Sequence, residues 1–218
     1  MDADEEQEIS AASLADRIEA GEAIHILDVR NREESEAWPI DGPSVQITQV
    51  PHMKFVSAQV TGDAADLVDA DTAYVAVCPR GEASAEAAAT LRDAGVAVRN
   101  LAGGMEAWAR VYRESVLPVD AAGLTAIQFR RPASGCLGYA LIGDEEALVV
   151  DPLRAFTDRY VEAVAAHDAE ITAVLDTHLH ADHVSGLREL AAETGARVLL
   201  SADAADRGVT FDVDIVSD

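Results

Sequence analysis

The sequence predicts an α/β protein with two successive parts, and two observations support this prediction. In the first part, short apolar segments alternate with helical ones, which is typical of a parallel sheet with helices on both faces. In the second part, short strands separated by glycine and acidic turns precede a strand that ends in a histidine-rich loop. We place the two parts at 1–115 and 124–218, joined by a linker at 116–123.

The first part contains four apolar segments that predict strands. Ser10 is placed to cap a helix that stops near Gly21, and Ser84 is placed to cap an alanine-rich helix that stops near Gly95. The third predicted strand ends directly at Cys78, so this cysteine lies between a strand and a helix start. The predicted strands cover 24–29, 45–50, 72–77 and 96–101.

The second part begins as a meander of strands and continues as alternating helices and strands. Glycine and acidic turns separate its first three strands, and the later elements are longer. The predicted strands cover 126–130, 137–142, 147–150, 171–176 and 197–201, and the predicted helices cover 156–167 and 186–194.

Composition excludes several classes of function. The chain has 218 residues, 49% of them hydrophobic, and a net charge of −24, with Lys54 as the one lysine. So negative a surface repels nucleic acid and anionic membranes. Acidic residues spread along the chain, with almost no lysine, indicate a halophile-type composition. The acidic start is unlike a secretory signal, and no apolar run approaches the roughly 18 residues of a membrane helix, so a cytoplasmic location is expected.

The two cysteines lie in different parts of the chain, so each is judged by its surroundings. Cys78 precedes a predicted helix, where backbone N–H groups form a cradle for an anion and favour a thiolate. A thiolate there is a candidate nucleophile for an oxyanion or a sulfur species. The alternative is a buried structural cysteine. For Cys136 we expect a small buried residue.

The surroundings of Cys78 resemble the single-domain rhodanese family over residues 1–115. The resemblance lies in Leu27-Asp28-Val29-Arg30 with Glu33, Trp38, Ile40 and Gly42, in Val77-Cys78 with Gly81 and Ser84, and in the run from Asn100 to Trp108. This resemblance implies a rhodanese-like parallel sheet flanked by helices. It also implies that Cys78 carries a sulfane sulfur as a persulfide and passes it to a nucleophile.

The resemblance assigns further roles around Cys78, with one departure from the family pattern. Asp28 and Arg30 are expected to buttress the loop. Ala83 stands where rhodanese loops usually have an arginine that binds an anionic donor, and Arg80 is the candidate substitute. The loop also lacks the length and final arginine of the related phosphatases, which disfavours phosphatase activity. The expected anion cradle comprises Gly81, Glu82, Ala83 and Ser84.

The second motif places four candidate metal ligands within six positions of one loop. They are His178, His180, Asp182 and His183, and imidazoles with a carboxylate suit Zn or Fe. This run resembles the signature of the metallo-β-lactamase superfamily, which implies a partial αββα sandwich. By resemblance, His178 and His180 bind the first metal, whereas Asp182 and His183 serve a second metal or orient water. Later His and Asp ligands of that family have no counterpart in the 35 residues after His183.

The segments 135–144 and 147–152 are similar to the opening of persulfide dioxygenases and glyoxalase II. The first resemblance implies one Fe per chain and oxidation of a thiol-bound persulfide; the second implies two metals and thioester hydrolysis. Fusion to a rhodanese favours sulfane-sulfur metabolism, with small sulfur compounds and low-molecular-weight thiols as partners. A non-catalytic docking or redox-sensing module is the alternative from another class. Because only the first half of the fold is present, we expect a truncated domain, or one completed by a homo-oligomer or another partner.

Overall fold

The computed structural model describes residues 7–180, 184–202, 209 and 211–216. The chain divides into two compact units, the first ending at Val111 and including Pro132–Ser134, and the second beginning at Tyr112. The predicted linker at 116–123 overlaps a strand of the second unit, Arg113–Leu117, which pairs with the strand that follows it. The second unit therefore starts at Tyr112, before the linker expected at 116–123.

The first unit is built on a five-stranded parallel sheet with the order β1-β5-β4-β2-β3. This order confirms the parallel α/β prediction. Its strands are β1 (Glu8–Ile9), β2 (Ile24–Asp28), β3 (Val45–Gln49), β4 (Tyr74–Val77) and β5 (Val98–Leu101). Its helices are α1 (Ala11–Glu19), α2 (Arg32–Ala37), α3 (His52–Thr61), α4 (Glu82–Asp93) and α5 (Gly104–Trp108), with a 3-10 turn at Ala64–Leu67.

Strand alternation sends the side chains of this sheet into two separate cores. Ile26, Val75 and Val77 face the core that contains α1 and α5. Leu27, Ala76 and the residue after β4, Cys78, face the core on the α3 and α4 side. Successive side chains of a strand point to opposite faces, which explains the division. Cys78 thus lies on the same side as the alanine-rich helix that follows it.

Helix α4 begins earlier than the sequence predicted. Gly81 is its N-cap, with φ of +103°, and Glu82 is its first residue, so the assignment of Ser84 as the cap was wrong. Ser84 is fully buried in the first turn of the helix, because glycine allows the sharp left-handed turn that starts the helix three residues sooner. By contrast, the Ser10 cap of α1 is confirmed, since its side chain accepts a hydrogen bond from the N–H of Ser13.

The second unit is built on a seven-stranded mixed sheet with the order β12-β11-β10-β9-β8-β7-β6. Neighbours from β6 to β9 pair antiparallel, which confirms the meander, and those from β9 to β12 pair parallel. The strands are β6 (Arg113–Leu117), β7 (Leu124–Arg131), β8 (Cys136–Gly143), β9 (Glu146–Val150), β10 (Glu170–Asp176), β11 (Arg197–Ser201) and β12 (Asp214–Val216). The helices are α6 (Thr157–Ala165), which follows a 3-10 turn at Arg154–Phe156, and α7 (Leu187–Thr194).

One face of this sheet packs against the helices around an aromatic cluster. The ring centroids of Tyr112 and Phe156 are 4.1 Å apart, and those of Phe129 and Tyr160 are 4.5 Å apart. The Tyr160 hydroxyl accepts a hydrogen bond from the N–H of Leu153 at 2.9 Å and also pairs with the Tyr112 hydroxyl. Buried phenols keep such partners because an unpaired polar group in a core is costly.

None of the helices in the described part of the chain has the length and hydrophobicity that a membrane-spanning segment requires.

Candidate functional site

The Cys78 sulfur lies at the carboxyl end of β4, where the loop turns into α4. Its side chain is buried and accepts a hydrogen bond from the N–H of Gly81 at 3.0 Å. The hydroxyl of Ser84 lies 3.1 Å from the same sulfur. Two potential donors around one sulfur form a site that can hold a thiolate or another anionic sulfur species.

The backbone of this loop is held from behind by helix α5. The N–H groups of Met105 and Glu106 donate to the carbonyls of Cys78 at 2.9 Å and Pro79 at 3.0 Å. Gly104 makes this approach possible, since a Cβ atom there would lie 2.2 Å from the Cys78 carbonyl oxygen. With these carbonyls bound to α5, the loop presents an N–H group to the sulfur. This explains physically why position 104 is a glycine.

A chain of polar contacts runs from the sulfur to the protein surface. The Ser84 hydroxyl is 2.7 Å from Oδ1 of Asn100, whose Nδ2 donates to Oε1 of Glu8 at 2.8 Å. Asn100 is buried and Glu8 is exposed. The strand register explains the contact, because Glu8 on β1 lies opposite Asn100 on β5. Asn100 was noted in the sequence motif without a role, and nothing in the sequence pointed to Glu8.

Asp28 and Arg30 form a buried ion pair at the carboxyl end of β2. Oδ2 of Asp28 is 2.6 Å from the guanidinium, and Oδ1 accepts from both the Arg30 Nε and its backbone N–H at 3.0 Å. Arg30 also donates to the carbonyl of Trp38 at 2.9 Å. Asp28 lies opposite Val77, the residue before Cys78. The pair therefore lies beside the strand that leads to the cysteine loop, and its role in buttressing that loop stays a prediction.

The remaining residues of the predicted cradle have different surroundings. Arg80 extends into solvent, with 70% of its side chain exposed and Nε 3.9 Å from Oε2 of Glu82. Glu82 is equally exposed, and Ala83 packs at the edge of the α4 core. An exposed guanidinium on this loop has the conformational freedom to turn toward a bound anion.

The histidine loop of the second unit follows β10 and folds against Asp151, which follows β9. Oδ1 of Asp151 accepts from the N–H of Thr177 at 2.7 Å and lies 3.1 Å from Nε2 of His180. Oδ2 accepts from the Thr177 hydroxyl at 2.8 Å. Nδ1 of His178 lies 2.8 Å from the same hydroxyl. Asp176, which is also buried, has Oδ1 3.8 Å from His180 Nε2.

These contacts assign the tautomers of both imidazoles. A carboxylate can only accept, so the Thr177 hydroxyl donates to Asp151 and in turn accepts from Nδ1–H of His178. The lone pair of His178 is therefore on Nε2. In His180, Nε2–H donates to Asp151, so the lone pair is on Nδ1. Orientation of ligand histidines by a carboxylate behind them is characteristic of metal sites.

Comparison with known proteins identifies the first unit. Residues 10–111 match the family model of the rhodanese-like domain. The putative sulfurtransferase YtwF of Bacillus subtilis is 31% identical over 103 residues, which cover 47% of this chain and 89% of that protein. The chain belongs to the rhodanese-like family. Its rhodanese-like domain carries the Cys78 loop, and its parallel sheet agrees with the fold that the motifs implied.

The second unit contains a metallo-β-lactamase superfamily domain, matched over residues 132–217. A hydroxyacylglutathione hydrolase of Francisella tularensis subsp. novicida is 37% identical over 54 residues, or 25% of this chain. The match spans 21% of that hydrolase, about a fifth of its length. The crystal structure of ETHE1 from Myxococcus xanthus is 29% identical, covering 41% of this chain and 34% of that chain with a TM-score of 0.27. So low a TM-score leaves the assignment to the sequence matches.

The donor set of the metallo-β-lactamase domain fits a metal ion. Asp151, His178 and His180 each place a ligand atom within 4.8 Å of the others. Two imidazoles with a carboxylate suit Zn or Fe, and the superfamily match itself implies metal binding. The predicted ligands Asp182 and His183 lie outside the described residues. Asp151 was missed as a site residue, although the Val-Val-Asp-Pro run that contains it was noted in the sequence.

Proposed function

We propose that the rhodanese-like domain transfers sulfane sulfur through Cys78. The observation that carries this proposal is the hydrogen bond that the N–H of Gly81 donates to the Cys78 sulfur, with an N–S distance of 3.0 Å. Gly81 is the N-cap of an α-helix. A backbone donor fixed at this point stabilises negative charge on sulfur, whether as a thiolate or as a persulfide. The match to the putative sulfurtransferase YtwF supports the same assignment.

The transfer consists of two displacements at sulfur without net oxidation. The Cys78 thiolate attacks the outer sulfur of a donor such as thiosulfate, an S–S bond forms to Cys78, and sulfite leaves with the electron pair of the broken bond. A second nucleophile, a low-molecular-weight thiolate or cyanide, then attacks the outer sulfur of the persulfide. Cys78 leaves as a thiolate and the cycle closes. Arg80 is the residue we assign to attract the anionic donor.

The test is thiocyanate formation from thiosulfate and cyanide by the whole chain. Cys78→Ser removes the sulfur carrier and is expected to abolish turnover, while Cys136→Ser is the matched control and keeps it. Mass spectrometry after thiosulfate alone should find one added sulfur atom on the peptide that contains Cys78. Unchanged turnover in Cys78→Ser, or sulfur added at Cys136, would overturn the proposal.

We further propose that the metallo-β-lactamase domain acts on thiol-bound persulfides, with one Fe per chain held through His178 and His180. The net conversion takes a thiol persulfide, dioxygen and water to the free thiol, sulfite and two protons. The metal would supply Lewis acidity and activation of a bound oxygen species. Two features support this proposal: two oriented imidazoles beside Asp151, and fusion to a domain whose proposed product is a persulfide.

A hydrolytic function is the second candidate for this domain, favoured by the match to a hydroxyacylglutathione hydrolase. Metal analysis and two assays separate the candidates. One Fe per chain with oxygen uptake on glutathione persulfide supports the dioxygenase, whereas Zn with thioester cleavage supports the hydrolase. His178→Ala should abolish either activity, with His167→Ala as the control. Protein without bound metal and without either activity would favour a docking or redox-sensing module.

For partners, we propose small sulfur compounds and low-molecular-weight thiols, with neither nucleic acid nor membranes. The net charge of −24 supports the second part of this proposal, since it opposes binding to polyanions. Self-association, or binding of another protein to the second unit, is the remaining proposal. Light scattering across a concentration series, with and without a candidate partner, tests it.

A further inference from the structure

The Ser84 hydroxyl stands between three acceptors and has one proton to donate. Oγ lies 2.7 Å from Oδ1 of Asn100, 3.1 Å from the carbonyl of Gly81 and 3.1 Å from the Cys78 sulfur. We infer that Glu8 and Asn100 control whether Ser84 donates its hydrogen bond to the sulfur. This inference deepens the proposed function, because it rests on Cys78 being the sulfur carrier.

The direction of the chain follows from the chemistry of Glu8. An ionised carboxylate only accepts, so Nδ2 of Asn100 faces Glu8 and donates to it at 2.8 Å. The amide oxygen must then point the other way, toward Ser84. Its distance of 2.7 Å is the shortest of the three, so the Ser84 proton is directed to Asn100.

The direction of the Ser84 proton determines whether the hydroxyl donates a hydrogen bond to the Cys78 sulfur or accepts one from it. With its proton directed to Asn100, Ser84 offers the sulfur an oxygen lone pair, which accepts from a thiol S–H. A thiolate or persulfide needs hydrogen-bond donors instead. While the Ser84 proton is directed to Asn100, the sulfur still accepts the hydrogen bond from the N–H of Gly81. Reversing the Asn100 amide would make Nδ2 the donor to Ser84, and the hydroxyl would then be available to donate to sulfur. Glu8 holds the amide in the first orientation and is therefore a positioning residue.

Other charged groups lie on the elements packed around this loop. Their electrostatic influence on the Cys78 thiolate must be distinguished from the effect of the hydrogen-bond chain. Arg80 and Glu82 lie on the loop and the start of α4, the Asp28–Arg30 pair lies at the end of β2, and Glu106 lies on α5. Glu86, farther along α4, pairs with His52 of α3. Removing any acidic group favours a thiolate through charge alone. The hydrogen-bond chain differs from such a charge effect because it depends on Ser84.

The experiment measures the ultraviolet absorbance of the thiolate against pH, with Cys78→Ser as the blank for each pH. Glu8→Ala and Asn100→Ala each release the Ser84 proton, because neither leaves a group that holds the Asn100 amide toward position 8. Each should raise the thiolate fraction below the titration midpoint roughly three- to tenfold, the effect of one hydrogen bond. Ser84→Ala should not lower it, because in the parent protein the Ser84 oxygen accepts from the thiol and gives the thiolate no proton. Glu106→Ala removes a nearby charge that has no contact with Asn100 and serves as the control.

The decisive measurement repeats Glu8→Ala in a Ser84→Ala background. The inference requires the Glu8 effect to fall there to the size of the Glu106→Ala effect, since no hydroxyl proton remains to be directed and only the loss of charge is left. An equal shift in both backgrounds would reduce Glu8 to a charge effect and overturn the inference, as would no shift in either. The readout needs no sulfur donor. Failure of sulfur transfer with an intact Glu8 effect would therefore overturn the proposed function and leave the network standing.

Discussion

Nε2 of His180 lies 3.1 Å from Oδ1 of Asp151, and this contact ties the histidine loop to the neighbouring strand end. Asp151 adopts a left-handed backbone with φ of +50°. Both of its oxygens are occupied by groups of Thr177 and His180. Asp151 therefore holds both imidazoles in position, and because a carboxylate oxygen has two lone pairs it also remains a candidate ligand of the metal.

Replacing Asp151 should weaken metal binding without unfolding the second unit. Asp151→Asn keeps the shape and loses the charge behind His180, and we expect metal affinity to fall by about 10- to 100-fold. Competition with a chromophoric chelator measures this change. Asp144→Asn is the matched control, since Asp144 also has a positive φ, of +48°, but lies outside the cluster. Equal affinity in Asp151→Asn and the parent protein would contradict the orienting role.

A methyl group at position 104 should disrupt the cysteine loop. The Cβ atom of Gly104→Ala would lie 2.2 Å from the Cys78 carbonyl oxygen and 2.7 Å from the Gly81 nitrogen, so the loop has to move. Gly21→Ala is the control, because Gly21 also has a positive φ but an added Cβ meets nothing within 4 Å. We expect Gly21→Ala to cost about 1 kcal/mol of unfolding free energy. Gly104→Ala should cost clearly more, measured by urea denaturation, and should abolish sulfur transfer.

The Asp28–Arg30 pair should matter far more to stability than an exposed pair of the same type. Its side chains are 2% and 5% exposed, so Arg30→Met leaves a buried carboxylate without its partner. We expect a loss of about 3–5 kcal/mol in unfolding free energy. The control is Arg197→Met, which breaks a pair with Asp214 whose side chains are 71% and 54% exposed. That loss should stay below about 1 kcal/mol. Equal losses would contradict a larger contribution of the buried pair to stability.

The second unit should lose stability in alkaline solution through its tyrosine pair. Burial raises the pKa of Tyr160 from its ordinary value of 10.0 to about 12, and burial followed by the charge of Tyr160 raises the pKa of Tyr112. The folded state resists ionisation, so this stability is complete below about pH 10 and is lost as pH rises toward about 12. Tyr112→Phe removes one titrating group, and its unfolding free energy should fall less steeply in that window. A parallel decline in both proteins would contradict the assignment.

The net charge of −24 should make stability depend on salt. Raising KCl from about 0.1 M to about 1 M shortens the screening length from about 10 Å to about 3 Å, which relieves repulsion among exposed carboxylates. We expect Tm to rise over this range. In Glu36→Gln combined with Glu193→Gln, two exposed charges are removed and the rise should be smaller. A Tm indifferent to KCl would contradict the halophile-type interpretation of the composition.

The sequence predicted the strands well, because buried strands are short apolar runs between glycine and polar turns. The runs around Ile26 and Val75 were placed within two residues of their bounds, and 197–201 matched β11. It did not predict β6, because the exposed Glu114 and Ser115 on this edge strand resemble linker residues. Nor did it predict β1, whose two residues are too few to form a pattern.

Site residues that lie next to a strand end along the chain could be predicted from the sequence. Those brought together by the pairing of distant strands could not. Cys78, His178 and His180 follow strands directly, so their placement could be inferred along the chain. Glu8 meets Asn100 through the pairing of two strands 92 residues apart, which no local pattern reveals. The role of Ser84 depended on where α4 begins, and the positive φ of Gly81 determines that point.

The anchoring of the Cys78 loop by α5 has a consequence for timescale. Since the carbonyls of Cys78 and Pro79 are bound by Met105 and Glu106, the peptide planes beside the sulfur cannot turn when its charge changes. The adjustment is left to the Ser84 hydroxyl, which rotates about a single bond. Side-chain rotations take picoseconds to nanoseconds, whereas loop rearrangements take up to microseconds or longer. Loading and unloading of sulfur should therefore proceed without a slow conformational phase, as single exponentials in stopped-flow traces.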